Sequence, residues 1–215
     1  MIFNREVFFD QVRVQPFGGA LNQEQVDGME MILSVWERFR RRADLRFLAY
    51  ELATTAHETS MTMQPIEEYG KGEGMEYGKP HPETGETYYG RGFVQLTWYD
   101  NYVRADEEIM QQFPGIETDL EWHAEQALDP RVAAATMMLG MEQGWFRTKD
   151  GQPETLERHF NDTTDDPLGA RNIINGDQNK VPSWSGGVSI GNLIKGYHQN
   201  FLVALELAGR HDHDA

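Results

Sequence analysis

The feature that most constrains this chain is an interruption. Clear helical periodicity runs up to His57-Glu58-Thr59-Ser60, then fails from Thr62 to Gly90, where Gly70, Gly72, Gly74, Gly78, Pro80, Pro82 and Gly85 break any regular element. Connections longer than about 12–15 residues are uncommon in compact domains and are often functional. The flanks read as helices. Asn22 is the expected N-cap for a stripe of Val26, Met29, Ile32, Leu33, Trp36 and Phe39. Asp44 precedes a second stripe of Leu45, Leu48, Leu52 and Ala56. Helical patterning resumes over Val94–Met110, and Asp129-Pro130 opens Arg131–Gln143 with an acceptor cap and proline at the first position. Leu193, Ile194, Tyr197, Phe201, Ala204 and Leu205 mark a last helix over Ile190–Leu207, and residues 5–14 form a short one. Asn161–Pro167 is a loop, and Asn175-Gly176-Asp177 is a turn. The expected fold is mainly α, with a small hairpin near residues 76–89.

Composition excludes several classes. A formal net charge of −16 repels nucleic-acid phosphates. The one basic cluster, Arg38, Arg40, Arg41, Arg42 and Arg46, reads first as a solvated helix end and secondly as a contact for an anionic surface. No cysteine is present, so no disulfide is expected. Met1–Asp10 mixes charges with its apolar residues, unlike a signal peptide, and no stretch approaches a membrane span. Expression in the cytoplasm without a signal peptide is expected. His211 and His213 lie in a tail and are not read as a metal site.

Among chemistries open to such a chain, glycosidic cleavage needs two carboxyl groups, one protonated to donate to the leaving oxygen and one ionised. A partly apolar pocket raises the first by penalising its charged form. Glu58 closes an apolar helix and opens the polar segment, so it suits the acid; Glu67 follows nine residues on, and the chain must turn back to oppose them. Among 35 acidic residues this spacing alone says little.

A wider pattern adds specificity. His57-Glu58-Thr59, then Tyr88-Tyr89-Gly90-Arg91-Gly92-Phe93-Val94-Gln95-Leu96-Thr97-Trp98, then Asn101-Tyr102, then Arg171-Asn172-Ile173-Ile174-Asn175-Gly176 occur in that order. Together they resemble glycoside hydrolase family 19, which includes chitinases and many phage cell-wall lysins. The resemblance spans residues 45–205. It implies a lysozyme-like α fold with minor β structure and a catalytic cleft between helical lobes. It places a single catalytic domain over 1–215, with an N-terminal helical segment at 1–40, a family-like core at 41–208 and a tail at 209–215.

The resemblance also implies roles. Glu58 matches the general acid. Glu67 fits the base of the short, lysin-like members, with adjacent Glu68 as the alternative. Thr97 matches the hydroxyl that holds the attacking water, a role suited to a group that both donates and accepts. Gln95, Asn101 and Asn175 match polar groups lining the glycan cleft. Tyr89 and Arg91 would shape its floor, with Arg91 placed to pair with a catalytic carboxylate. His57 is read as structural. For Trp98 and Tyr99, core packing is favoured over stacking on a sugar. No metal or cofactor is expected.

The chain lacks the cysteines of plant-type members, and its segment between the two glutamates is short. Fewer loops around the cleft shorten the groove, which disfavours long-chain crystalline chitin and favours bacterial peptidoglycan as the substrate, whereas the acidic charge does not. The reading is an inverting endo-hydrolase of β-1,4-linked N-acetylhexosamine chains. It acts as a monomer on the cell wall after a holin-type release. Chitin is the alternative substrate, and a non-catalytic glycan-binding module is the reading from another class.

Overall fold

Local signals seat the helices of the computed structural model, which describes residues 2–210. The Asn4 side chain accepts from the Val7 amide to open α1 (Arg5–Val14). A reciprocal capping box opens α2 (Gln23–Phe39): the Gln25 amide donates to the Asn22 side chain at 2.8 Å, and the Asn22 amide donates to the Gln25 side chain at 3.0 Å. Asp44 accepts from the Arg46 amide at 2.9 Å at the start of α3 (Leu45–Glu58). Asp129 caps α5 (Pro130–Gln143), which ends on Gly144 at φ +73°, a left-handed cap that suits glycine. Each acceptor satisfies amides that the first turn leaves without a partner.

The interior is organised on two helices buried nearly all round. Every residue of α3 from Phe47 to Ala56, and every residue of α5 from Val132 to Met141, is buried. The last helix, α7 (Ile190–Arg210), packs along α3, with α1 on its other flank; α2 packs on α5. One apolar cluster runs from Phe3 to Ala208 and takes in residues of α1 and α2 together with those of α3, α5 and α7. The basic cluster between the end of α2 and the first turn of α3 is partly paired: Arg40 with Glu142 at 3.0 Å, and Arg46 with Asp44 at 2.5 Å. No helix among the described residues is long and apolar enough to cross a membrane.

Strand structure is slight. β1 (Ile66–Glu67) pairs antiparallel with β2 (Arg91–Gly92) in the register Ile66↔Gly92 and Glu67↔Arg91. A second pair joins β3 (Thr148–Lys149) to β4 (Gln152–Pro153). The hairpin expected near 76–89 is not formed. That segment holds one 3-10 turn at Glu76–Gly78 and a reversal in which the His81 amide donates to the Glu86 carbonyl at 2.7 Å. The glycines and prolines leave no run long enough to pair.

Two helices differ in extent from expectation. α4 spans Tyr99–Gln112 rather than starting at Val94, because Arg91 and Leu96 exchange both backbone hydrogen bonds and hold Gly92–Gln95 in a tight reversal. The last helix extends beyond Leu207 to Arg210. The apolar run at 170–174 forms a 3-10 helix, Gly169–Ile173, and a four-residue α6 (Leu156–His159) precedes the 161–167 loop. The histidine tail lies outside the described residues.

The burial of α3 carries a local cost. Glu51 is 1% exposed, and its Oε2 has no hydrogen-bond partner. Burial, reinforced by the Glu142 charge and only partly offset by Arg40, pushes its carboxyl well above the usual carboxylate range. The folded chain keeps this proton while an unfolded chain releases it above the usual range. Stability tied to Glu51 is therefore full at low pH and falls as pH rises. Glu51→Gln is expected to raise the melting temperature near pH 8 and leave it unchanged near pH 4. Each kcal/mol regained should appear as about 2–4 °C in calorimetry. Equal shifts at both pH values would contradict the assignment.

Candidate active site

The cleft is built where the interrupted segment turns back on itself. α3 ends at Glu58, and three nearby non-glycine residues then adopt left-handed backbone: Ser60 at φ +51°, Met61 at +67° and Met63 at +57°. Such angles are sparsely populated and persist only where the surroundings enforce them. The enforcing contacts come from two sides. Thr59 Oγ1 donates to the Thr55 carbonyl at 2.7 Å and accepts from the Met63 amide at 3.1 Å. On α2, Gln25 Nε2 donates to the Met61 carbonyl at 2.9 Å, and Gln64 Nε2 reaches the Glu24 carbonyl at 2.5 Å. Gly28 lies directly beneath the turn, and a β-carbon there would fall 1.7 Å from the Met63 carbonyl oxygen. The N-terminal 40 residues thus brace the turn that follows Glu58.

Beyond the turn, two adjacent acidic side chains at and just after β1 take different places. Glu67 is on the outer side, 36% exposed, accepting from the Tyr89 hydroxyl at 2.6 Å and pairing with Lys71 at 3.0 Å. The Tyr89 hydrogen bond first, then Lys71, holds its carboxyl below the usual range. Glu68 points the other way. Its Oε1 accepts from the Tyr77 hydroxyl and its Oε2 from the Gly90 amide, both at 3.0 Å. These two donors orient the group.

A cleft of about 440 Å³ is lined by Glu58, Glu68, Gln95, Thr97, Asn101 and Asn175, with Tyr77, Trp98, Phe146 and Ile174 among its walls. Of the residues singled out in the sequence, Glu58, Thr97, Gln95, Asn101 and Asn175 are brought together here, as is Glu68. Glu67, Tyr89 and Arg91 are not among the lining residues. Tyr89 and Arg91 are buried beneath it. Arg91 stacks its guanidinium 3.6 Å above the Tyr89 ring and donates to the Thr87 carbonyl and the Tyr102 hydroxyl at 2.8 and 3.1 Å. The carboxylate pairing expected of Arg91 is not formed among the described residues; its charge is the smallest of the influences on Glu67.

That pairing belongs to Arg171. It is 3% exposed, its Nη1 donates to Glu58 Oε1, and its Nε donates to Asp177 Oδ1 at 2.7 Å. Burial would raise the Asp177 carboxyl, but the hydrogen bond and charge of Arg171 outweigh it and leave it below the usual range. Burial also lowers His57 against the opposing pull of Glu58, which suits a neutral packed imidazole. Arg171 and Asp177 were not identified as site residues in the sequence. They are six positions apart across a 3-10 helix and a turn, a spacing with no periodic signature.

Hydrogen bonds within the cleft leave defined valences. Thr97 Oγ1 donates to the Gln95 carbonyl at 2.8 Å, so the hydroxyl faces the cleft as an acceptor. Asn101 Nδ2 donates to the Thr97 carbonyl at 2.9 Å, leaving its Oδ1 to accept. Gln95, at φ +59°, donates through Nε2 to the Ile66 carbonyl at 3.1 Å. Trp98 departs from the core packing expected of it. It is 50% exposed, sits at φ +76°, and occupies the N-cap of α4 without a side-chain cap bond. A capping side chain is typically worth about 1 kcal/mol, and left-handed backbone in a bulky residue costs about 1–3 kcal/mol.

With this geometry established, comparison with solved structures places the fold. Over 96% of its length the chain matches 96% of a bacterial family 19 chitinase at TM-score 0.57 and 18% identity. It matches chitinase C from Streptomyces griseus HUT6037 at TM-score 0.52 and 18% identity, covering 96% of this chain and 93% of that one. A mutant of chitinase C gives TM-score 0.53 at 20% identity, covering 95% and 92%. No family model and no curated protein matches the sequence. The chain has the mainly α, lysozyme-like fold of the family 19 chitinases.

The brace under the turn can be tested. Gly28→Ala must displace either the Met63 carbonyl or α2, and is expected to destabilise by about 1–3 kcal/mol in denaturant unfolding. Gly196→Ala, which meets nothing within 4 Å, is expected to be neutral or to stabilise by up to about 1 kcal/mol. Equal effects of the two would remove the brace.

Proposed function

We propose that this protein is an inverting glycoside hydrolase that cuts internal β-1,4 bonds of N-acetylhexosamine glycans. The observation that carries the reading is the pairing of Glu58 and Glu68 in one cleft with an acceptor hydroxyl and three amide side chains, on a fold shared with chitinases. Glu58 acts as the general acid. Once it has given its proton to the leaving oxygen, its new negative charge is received by Arg171, which Asp177 holds in place. Glu68 acts as the base: Thr97 accepts one hydrogen of the attacking water while Glu68 takes the other. Inversion requires the two carboxyls to sit about 6.5–9.5 Å apart with water between them. Asn101, Asn175 and Gln95 suit the acetamido and hydroxyl groups of the sugar. Glu67, engaged by Lys71 and Tyr89, supports the strand from its outer side.

Bacterial peptidoglycan is the substrate proposed, on the short connection between the two carboxyls, which leaves few loops to extend the groove. Chitin is the second reading, favoured by the chitinases among the structural neighbours.

The test is release of reducing ends from purified peptidoglycan and from soluble chitin oligomers, side by side. Glu58→Gln and Glu68→Gln are each expected to lower turnover by about 10²–10⁴-fold, the usual range for a general acid or base. Glu67→Gln should retain activity within about tenfold. A larger loss in Glu67→Gln than in Glu68→Gln would transfer the base to Glu67. A folded wild type without turnover on either glycan would leave a glycan-binding module.

A further inference from the structure

A second groove adjoins the cleft. It is lined by Tyr77, Pro80, His81, Tyr88, Trp98 and Tyr99, with Glu76 and Lys79 at its edge. Tyr77 and Trp98 line both spaces and form the wall between them, their rings 5.0 Å apart in an edge-to-face contact. The floor is aromatic and rigidly held. His81 stacks on Tyr99 at 4.0 Å with 14° between the planes. The Tyr99 hydroxyl donates to Glu121 at 2.7 Å, and the Tyr88 hydroxyl donates to the Glu121 carbonyl at 2.6 Å. The edge charges, Lys79 and Glu76, pair with each other at 2.5 Å.

Trp98 is the second observation. Local stability favours a short capping residue at its position, with a backbone that tolerates the left-handed region. An exposed indole there, satisfying neither preference, has no role in the core. A strained, solvent-facing aromatic between two connected grooves fits contact with a ligand.

Building on the glycan reading of the cleft, we propose that this groove is a further sugar-binding subsite. It takes an N-acetylhexosamine ring of the same strand, beyond those held in the cleft, stacked between Trp98 and the His81–Tyr99 pair. A neutral sugar offers an apolar ring face to aromatic side chains and hydroxyls to the rim. The continuity through Tyr77 and Trp98 makes the occupant a continuation of the bound strand. The groove therefore makes affinity rise with chain length.

The test uses calorimetric binding of the tetramer and the hexamer of N-acetylglucosamine to the Glu58→Gln protein, so that turnover plays no part. The hexamer is expected to bind about tenfold more tightly than the tetramer. Adding His81→Ala, on the side of the groove away from the cleft, should abolish this gap and leave tetramer affinity in place. Adding Trp98→Asn should also abolish it while keeping or raising the melting temperature, because asparagine caps helices and tolerates positive φ. A gap that survives both substitutions, equal binding of the two oligomers, or binding of neither would overturn the subsite. A length-dependent gap in a protein whose wild type hydrolyses no glycan would uphold the subsite and remove the hydrolase reading instead.

Discussion

The site depends on one buried arginine. Arg171, 3% exposed, carries a charge that the interior tolerates because the Asp177 carboxylate meets it and Glu58 Oε1 accepts a further hydrogen bond from it. That requirement ties three parts of the chain together: the end of α3, the 3-10 helix at 169–173 and the turn at 175–177. It also places the Glu58 carboxyl at the cleft wall, and the same segment delivers Ile174 and Asn175 to the cleft. Removing one partner of such a cluster typically costs about 3–5 kcal/mol, because the remaining charges stay buried. The pairing thus orients the proposed acid and holds the fold around it.

The rest of the architecture serves to bring a second carboxyl to the same place. α3 and α5, buried along most of their length, form a stiff centre. From its end the chain reverses through Ser60, Met61 and Met63, and the reversal is held down by Gln25 and Gly28 of α2. Just past β1, the Tyr77 hydroxyl and the Gly90 amide hold Glu68 in the cleft lining, while Tyr89 and Lys71 hold Glu67 outside it. Strain at Gln95 and Trp98 accompanies the corner that presents Thr97. Left-handed backbone clusters at the two turns that frame the cleft, where the surrounding contacts enforce it.

Much of this was legible from residue order, and the parts that were not share a cause. The helices announce themselves through local chemistry: Asn22, Asp44 and Asp129-Pro130 cap where the periodicity begins, and α1 and α3 lie over the expected residues. Val94 did not begin a helix, because Val94 and Leu96 are buried in a reversal set by a backbone bridge to Arg91. Spacing alone does not choose between Glu67 and Glu68; their partners separate them, Tyr89 and Lys71 for Glu67 and Tyr77 and Gly90 for Glu68, and those contacts depend on folding of the whole interrupted segment. Arg91 sits in the most specific motif yet serves the floor through Tyr89 and Tyr102. Arg171, at the edge of a short apolar run, holds the carboxyl. Long-range partners of this kind leave no periodic trace.

The central claim is that Glu58 and Glu68 act across a bound glycan with a water between them. The most direct measurement is the anomeric form of the first products, followed by NMR from the start of hydrolysis of a β-linked N-acetylglucosamine hexamer. Attack by water on the face opposite the leaving group predicts the α-anomer first, with the β-anomer growing only by mutarotation. Initial β-anomer would mean a covalent or otherwise retaining route, and would contradict the account.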